Sequence, residues 1–189
     1  MSKADLLNSL YKDIAASKVC NELALQSSGL VPGSGNLDAD IVIVGEAPGK
    51  AEDAEGKPFV GASGKFLDMM LESAGIARAN IYITNIVKYR PPSNRDPSKF
   101  EKAEFWPYLL RELEIIQPKF IITLGRHSGM CFLPDLVIGR DHGQPKEVLL
   151  NERSYVLIPL YHPAAALYNG NMRQTLIDDF MFTAKLLAQ

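Results

Sequence analysis

Four short runs of apolar and β-branched residues, at 41–44, 80–87, 120–124 and 155–160, recur along the chain with helical patterns between them. A strand buried on both faces reads as a continuous apolar run, and strands that alternate with helices form parallel sheets covered on both sides. The pattern therefore predicts an α/β fold, a three-layer α/β/α sandwich around a central, mostly parallel four-stranded sheet. Residues 4–16, 65–74, 126–132 and 173–187 carry the helical periodicities. Another helix should start either at Asp96-Pro97 or at Ser98, three residues before Glu101, and run to Gln117, with Pro107 expected to kink or divide it. The run at 147–150 predicts a hairpin with 155–160, turned at residues 151–154. Residues 26–38, rich in Gly, Ser and Pro, read as an extended connection. With no repeat or linker composition, residues 1–189 are expected to form one domain.

In a parallel sheet, ligands bind beyond the carboxyl ends of the strands. The first run stops abruptly at Gly45-Glu46-Ala47-Pro48-Gly49. Glu46 and His162 fall just past the ends of their runs and Asn85 near the end of its own, so the three side chains are expected to converge on one edge. Phe59, between turn residues in the 45–64 loop, can supply an aromatic wall. An Asn amide donates and accepts together, as one edge of a base requires, and a His can hydrogen-bond developing negative charge. A carboxylate can stabilise positive charge or orient water, and an aromatic face stacks on a flat ring. This set describes a pocket for a nucleobase.

Other readings fail on spacing. The 45–50 loop lacks both the four intervening residues and the Ser or Thr of a phosphate loop, and neither G-x-G-x-x-G nor G-x-S-x-G occurs. The three histidines show no zinc spacing, so no metal site is expected. No apolar run approaches the roughly 18 residues of a membrane span. The first residues lack a signal-peptide core and the two cysteines form no framework, so a cytoplasmic location is expected. The net charge of −2 hides a basic stretch at 88–102, where Lys88, Arg90, Arg95, Lys99 and Lys102 face only Asp96 and Glu101. Such a stretch suits a polyanion groove.

The segments GEAPG, GKPFVGASG, TNIVKYRPPSNRDP, the Leu-Gly ending the third strand, and YHPAA follow one another in the order found in uracil-DNA glycosylases. From about Cys20 onward the chain resembles the family-4 type. The resemblance implies a monomeric enzyme of base-excision repair that flips uracil out of DNA and hydrolyses its N-glycosidic bond. It implies catalytic roles for Glu46, Glu52 and His162, the two carboxylates lying near the sugar and the attacking water. Gly45, Ala47, Phe59, Asn85 and His162 would bind uracil, Phe59 by stacking, Asn85 through N3–H and O4, and His162 through O2. Ala47 stands where family-1 enzymes carry a catalytic Asp, and Gly49 where they carry a thymine-excluding Tyr. Lys88, Arg90, Arg95, Leu167, Tyr168 and Arg173 are the expected DNA-binding residues, with Leu167 or Tyr168 as a wedge.

The family-4 type usually holds a 4Fe–4S cluster on four cysteines. The corresponding positions here are Cys20, Leu23, Tyr89 and Trp106. Four thiolates are required, so the cluster is expected to be lost, with an apolar plug in its place. The substrate partner is DNA containing uracil, with no membrane association. A glycosylase for hypoxanthine or xanthine, and a non-catalytic DNA-binding relative, are the competing readings.

Overall fold

The computed structural model describes residues 1–187. Its strands are β1 (Ser34–Gly35), β2 (Ile41–Gly45), β3 (Tyr82–Asn85), β4 (Phe120–Leu124), β5 (Lys146–Leu150) and β6 (Arg153–Leu160). They form one six-stranded sheet in the order β1-β3-β2-β4-β6-β5. The inner four are mutually parallel and are the four expected runs. Two antiparallel edge strands correct the expected count. At one edge β1 is only two residues long, pairing Ser34 with Ile83 and Gly35 with Tyr82, too short to show a period. At the other, β5 is the expected hairpin arm, and its register with β6 makes it part of the sheet.

The helices are α1 (Lys3–Ala16), α2 (Asn21–Gln26), α3 (Lys50–Glu55), α4 (Ala62–Ser73), α5 (Lys99–Ile116), α6 (Arg126–Phe132), α7 (Ile138–Asp141), α8 (Ala164–Tyr168) and α9 (Met172–Leu187). Alternation along β2 sorts them into two layers. Val42 and Val44 pack with Leu10 and Ile14 of α1 and Phe105, Leu109 and Leu113 of α5. Ile43 faces the other way, against Phe66, Leu67 and Met70 of α4 and Leu176 and Phe180 of α9. Helix α5 starts at the expected Ser98–Glu101 capping box. It passes through Pro107 undivided, because the buried residues on both sides of the proline hold one continuous apolar face against the sheet. Among the described residues no helix is long and apolar enough to cross a membrane.

Candidate active site

Pairing of Gly45 with Asn85 and of Leu124 with Leu160 brings the carboxyl ends of the inner strands to one edge. Beyond it opens a cavity of about 340 Å³, lined by Ala47, Glu52, Phe59, Asn85 and His162, with Leu167 and Tyr168 among the other lining residues. Residues from the 45–64 loop, β3 and the segment after β6 thus meet in one place. Gly45 is required beneath them: a Cβ there would stand 2.3 Å from Asn85 Oδ1 and 2.7 Å from the Phe59 ring.

Phe59 is buried and adopts φ 54°, a left-handed backbone that a bulky side chain rarely takes. Arg78 holds it there by donating to the carbonyls of Pro58 and Phe59, at 3.1 and 2.9 Å. The Phe59 and His162 rings lie 6.0 Å apart. Asn85 closes β3, its side chain buried and Oδ1 without a hydrogen-bond partner. Buried polar atoms are nearly always paired, so this oxygen is available to a bound molecule or to water. His162 accepts the Ala164 N–H at Nδ1, 3.1 Å away. Burial pushes its pKa down to about 4, against the opposing pull of the Glu52 carboxylate. At neutral pH the ring is therefore an uncharged donor through Nε2.

The carboxylates depart from expectation. Glu52 lines the cavity, but both its oxygens are engaged in holding the loop. One accepts the Gly49 N–H at 3.1 Å, the other the N–H groups of Val60 and Gly61 at 3.1 and 2.9 Å. It sits at the third position of α3, reaching back to the helix cap, and clamps the two ends of the loop that carries Phe59. A Cβ at position 49 would come within 2.8 Å of the Glu52 carboxylate, so a side chain there and this clamp exclude each other. Glu46 does not line the cavity. Its side chain, next to cavity-lining Ala47 in the chain, turns toward Lys102 Nζ and His127 Nδ1, at 3.9 and 3.7 Å. Oε1 is buried without a hydrogen bond. Burial and the Asp96 charge raise its pKa to about 7, against Lys102 and Arg126. Glu46, Asp96 and His127 bring potential metal-binding atoms within 4.8 Å of one another. The adjacent Lys102 and Arg126 cations offset the carboxylates, and the group reads as an ion-pair network.

Of the expected DNA-binding residues, Leu167 and Tyr168 border the cavity mouth, and Tyr168 is 92% exposed. Arg173 is exposed, its guanidinium over the Phe66 ring at 4.7 Å. Arg90 donates to Asn94 at 2.7 Å, and exposed Arg95 pairs through two nitrogens with Glu101. Lys88 overturns its expected place. It is fully buried and ion-paired with Glu112 at 2.5 Å, because it stands in a stretch, Tyr82 to Tyr89, whose residues are all buried. Sequence reasoning also missed Glu112, a single acidic residue in an ordinary charged helix pattern, and α3, although Glu52 three residues after Gly49 was its signal.

The four positions corresponding to cluster cysteines share one apolar cluster. Cys20, Leu23 and Tyr89 are buried in it and Trp106 packs against it. Tyr89 meets Phe105 edge-on at 5.9 Å, and Trp106 meets Phe132 at 4.9 Å. Burial pushes the Cys20 thiol up to about 12, far from the thiolate a metal needs. One such thiol among apolar side chains does not fit a four-thiolate cluster.

A family model described as the uracil DNA glycosylase superfamily matches residues 32–184. The chain is 43% identical over 182 residues to a type-4 uracil-DNA glycosylase of Sulfurisphaera tokodaii, covering 93% of this chain and 82% of the relative. It is 43% identical over 179 residues to that of Archaeoglobus fulgidus, covering 92% and 89%. With the Saccharolobus solfataricus enzyme it shares 46% over 156 residues, covering 79% and 72%.

Proposed function

The chain belongs to the uracil DNA glycosylase superfamily, and on that premise we propose that it excises uracil from DNA by hydrolysing the N-glycosidic bond, leaving an abasic site. The observation that carries this reading is the meeting of Phe59, Asn85 and His162 around one cavity. The unpartnered Asn85 Oδ1 accepts from uracil N3–H while the same amide donates to O4. Phe59 stacks on the ring. Neutral His162 donates from Nε2 to O2, where negative charge gathers as the bond from N1 to the sugar breaks. A preorganised donor of this kind is worth about 10²–10³ in rate.

The base reaches the cavity only after leaving the helical stack. In this reading Leu167 and Tyr168, which line the cavity, fill the vacated space, and Arg90 and Arg173 meet phosphates. Water adds its oxygen to the sugar carbon as uracil departs with the bonding electrons, and the proton the water sheds neutralises the uracil anion. Glu52 acts by holding the loop. Glu46, whose Oε1 faces Lys102 and His127 without a hydrogen bond, acts from outside the cavity by its charge on the developing sugar cation.

Oligonucleotides carrying one uracil, hypoxanthine or xanthine, cleaved by alkali after incubation, test the reading. Uracil strands should break; no abasic product from any of them defeats it. Asn85→Ala should slow uracil release by about 10²-fold or more, and unchanged release rejects its base-reading role.

We infer further that the protein works without an iron–sulfur cluster, since the four positions supply one thiol within an apolar plug. Protein purified anaerobically should contain neither iron nor sulfide in stoichiometric amount. Stoichiometric iron and sulfide would overturn this.

A further inference from the structure

Among the described residues the most deeply buried ion pair lies behind Asn85. Lys88 has no exposed side-chain surface, and its partner Glu112 is 1% exposed. The ammonium donates to Glu112 Oε2 at 2.5 Å, to the Thr84 hydroxyl at 2.5 Å and to the main-chain carbonyl of Asn85 at 2.8 Å. Glu112 Oε1 accepts from the hydroxyls of Tyr82, at 2.9 Å, and Tyr11. Tyr11 in turn accepts the Gly33 N–H at 2.8 Å. The network therefore joins α1, the connection before β2, β3 and α5.

A buried ion pair is weak evidence for stability, because desolvation of both charges opposes their attraction. Burial pushes the Lys88 pKa down, against Glu112. An apolar pair would fill the space without that penalty, so the useful property of the ammonium is where it points. Three donors are distributed over three acceptors, and one of these is the carbonyl of the residue whose side chain faces the cavity. β3 ends at Asn85, and the following N–H groups, of Ile86 and Val87, bond to the carbonyls of Gly45 and Glu46. At that position the peptide leaves regular strand geometry, and its orientation sets the direction of the Asn85 amide.

We propose that Lys88, anchored by Glu112, is a positioning residue that holds the Asn85 carbonyl and thereby fixes the Asn85 amide for reading the base. The proposal rests on the base-reading role given to Asn85 above.

Removing Lys88 alone strands the Glu112 charge, so the test uses both Lys88→Met and the charge-free pair Lys88→Met/Glu112→Leu. Each is made in the wild-type and Asn85→Ala backgrounds. Thermal unfolding and single-turnover uracil release, with binding of the same oligonucleotide, are measured for all. The charge-free pair should unfold cooperatively and bind the oligonucleotide as wild type does, while releasing uracil about 10- to 100-fold more slowly, as expected for a misplaced catalytic group. In the Asn85→Ala background the same two substitutions should change the rate less than about twofold, as coupled residues do. Wild-type release by the charge-free pair overturns the proposal. So does an equal loss in both backgrounds, which marks a general structural role, or failure of both variants to fold. Wild-type release by Asn85→Ala alone instead refutes the role of Asn85, and is distinguishable because it involves neither Lys88 nor Glu112.

Discussion

Nδ1 of His162 accepts the backbone N–H of Ala164 at 3.1 Å, and this bond decides which end of the ring can act. A nitrogen that accepts cannot carry the single proton of a neutral imidazole, so the proton sits on Nε2. A neutral donor opposite a departing anion needs no protonation step in the working pH range.

The first prediction concerns acid. The unfolded His162 takes up its proton near 6.5 and the folded one only near 4. Between these values the unfolded state binds more protons, so stability falls as pH falls through that window. The urea midpoint should be lower at about pH 5 than at about pH 7, and part of the difference should vanish in His162→Gln. An identical pH difference in the variant contradicts the assignment.

Glu46 should control the pH profile of excision. Its pKa stands at about 7, so the carboxylate gains its charge as pH rises through neutrality. If that charge assists the sugar cation, kcat/KM rises with pH to a plateau with an apparent pKa near 7. Glu46→Gln should lower the plateau and flatten the limb. A limb that persists in the variant assigns it to another group.

Replacing Glu52 should damage folding and catalysis together. Glu52→Gln loses the ionic character of three hydrogen bonds and turns an NH₂ toward one N–H it used to accept. A loss of about 1.5–3 kcal/mol is expected from hydrogen bonds to a charged group. Slower uracil release should accompany it, because the loop carrying Phe59 loosens. Exposed Glu55 in the same helix serves as the control. Equal melting temperatures for Glu52→Gln and Glu55→Gln would remove the clamp from the account.

Tyr168 should matter to DNA and not to the fold. At 92% exposure its truncation to Ala is expected to change stability by no more than about 0.5 kcal/mol. Uracil release should fall more on duplex than on single-stranded substrate, since only the duplex leaves a stacked gap to fill. Equal loss on both substrates argues against a wedge.

The inner sheet was legible because the central parts of its strands are buried on both faces and leave runs dominated by apolar and β-branched residues. The capping box at Ser98 and the helices of both layers were legible through local periodicity. The edges were not. Two residues of β1 carry no period, and their strand character arises from the exposed edge of β3. Asn85, His162 and Phe59 could be nominated because each stands near the end of an apolar run or beside a turn, and parallel pairing brings strand ends to one side. The misjudged charges were those whose environment lies far along the chain. Lys88 looked like one of a basic surface series until the packing of α5 brought Glu112 to it, 24 residues away.

What the sequence determined by itself was the kind of molecule and the edge of the sheet at which the cavity opens, since periodicity and strand ends are local properties. Only the tertiary structure decided what each polar group there does. It turned Glu46 away from the cavity and closed Glu52 onto three backbone N–H groups. It buried Lys88 behind Asn85 and placed the His162 proton on Nε2. A charged side chain takes its role from the solvent it loses and the partners it gains, and both are set when distant segments pack together.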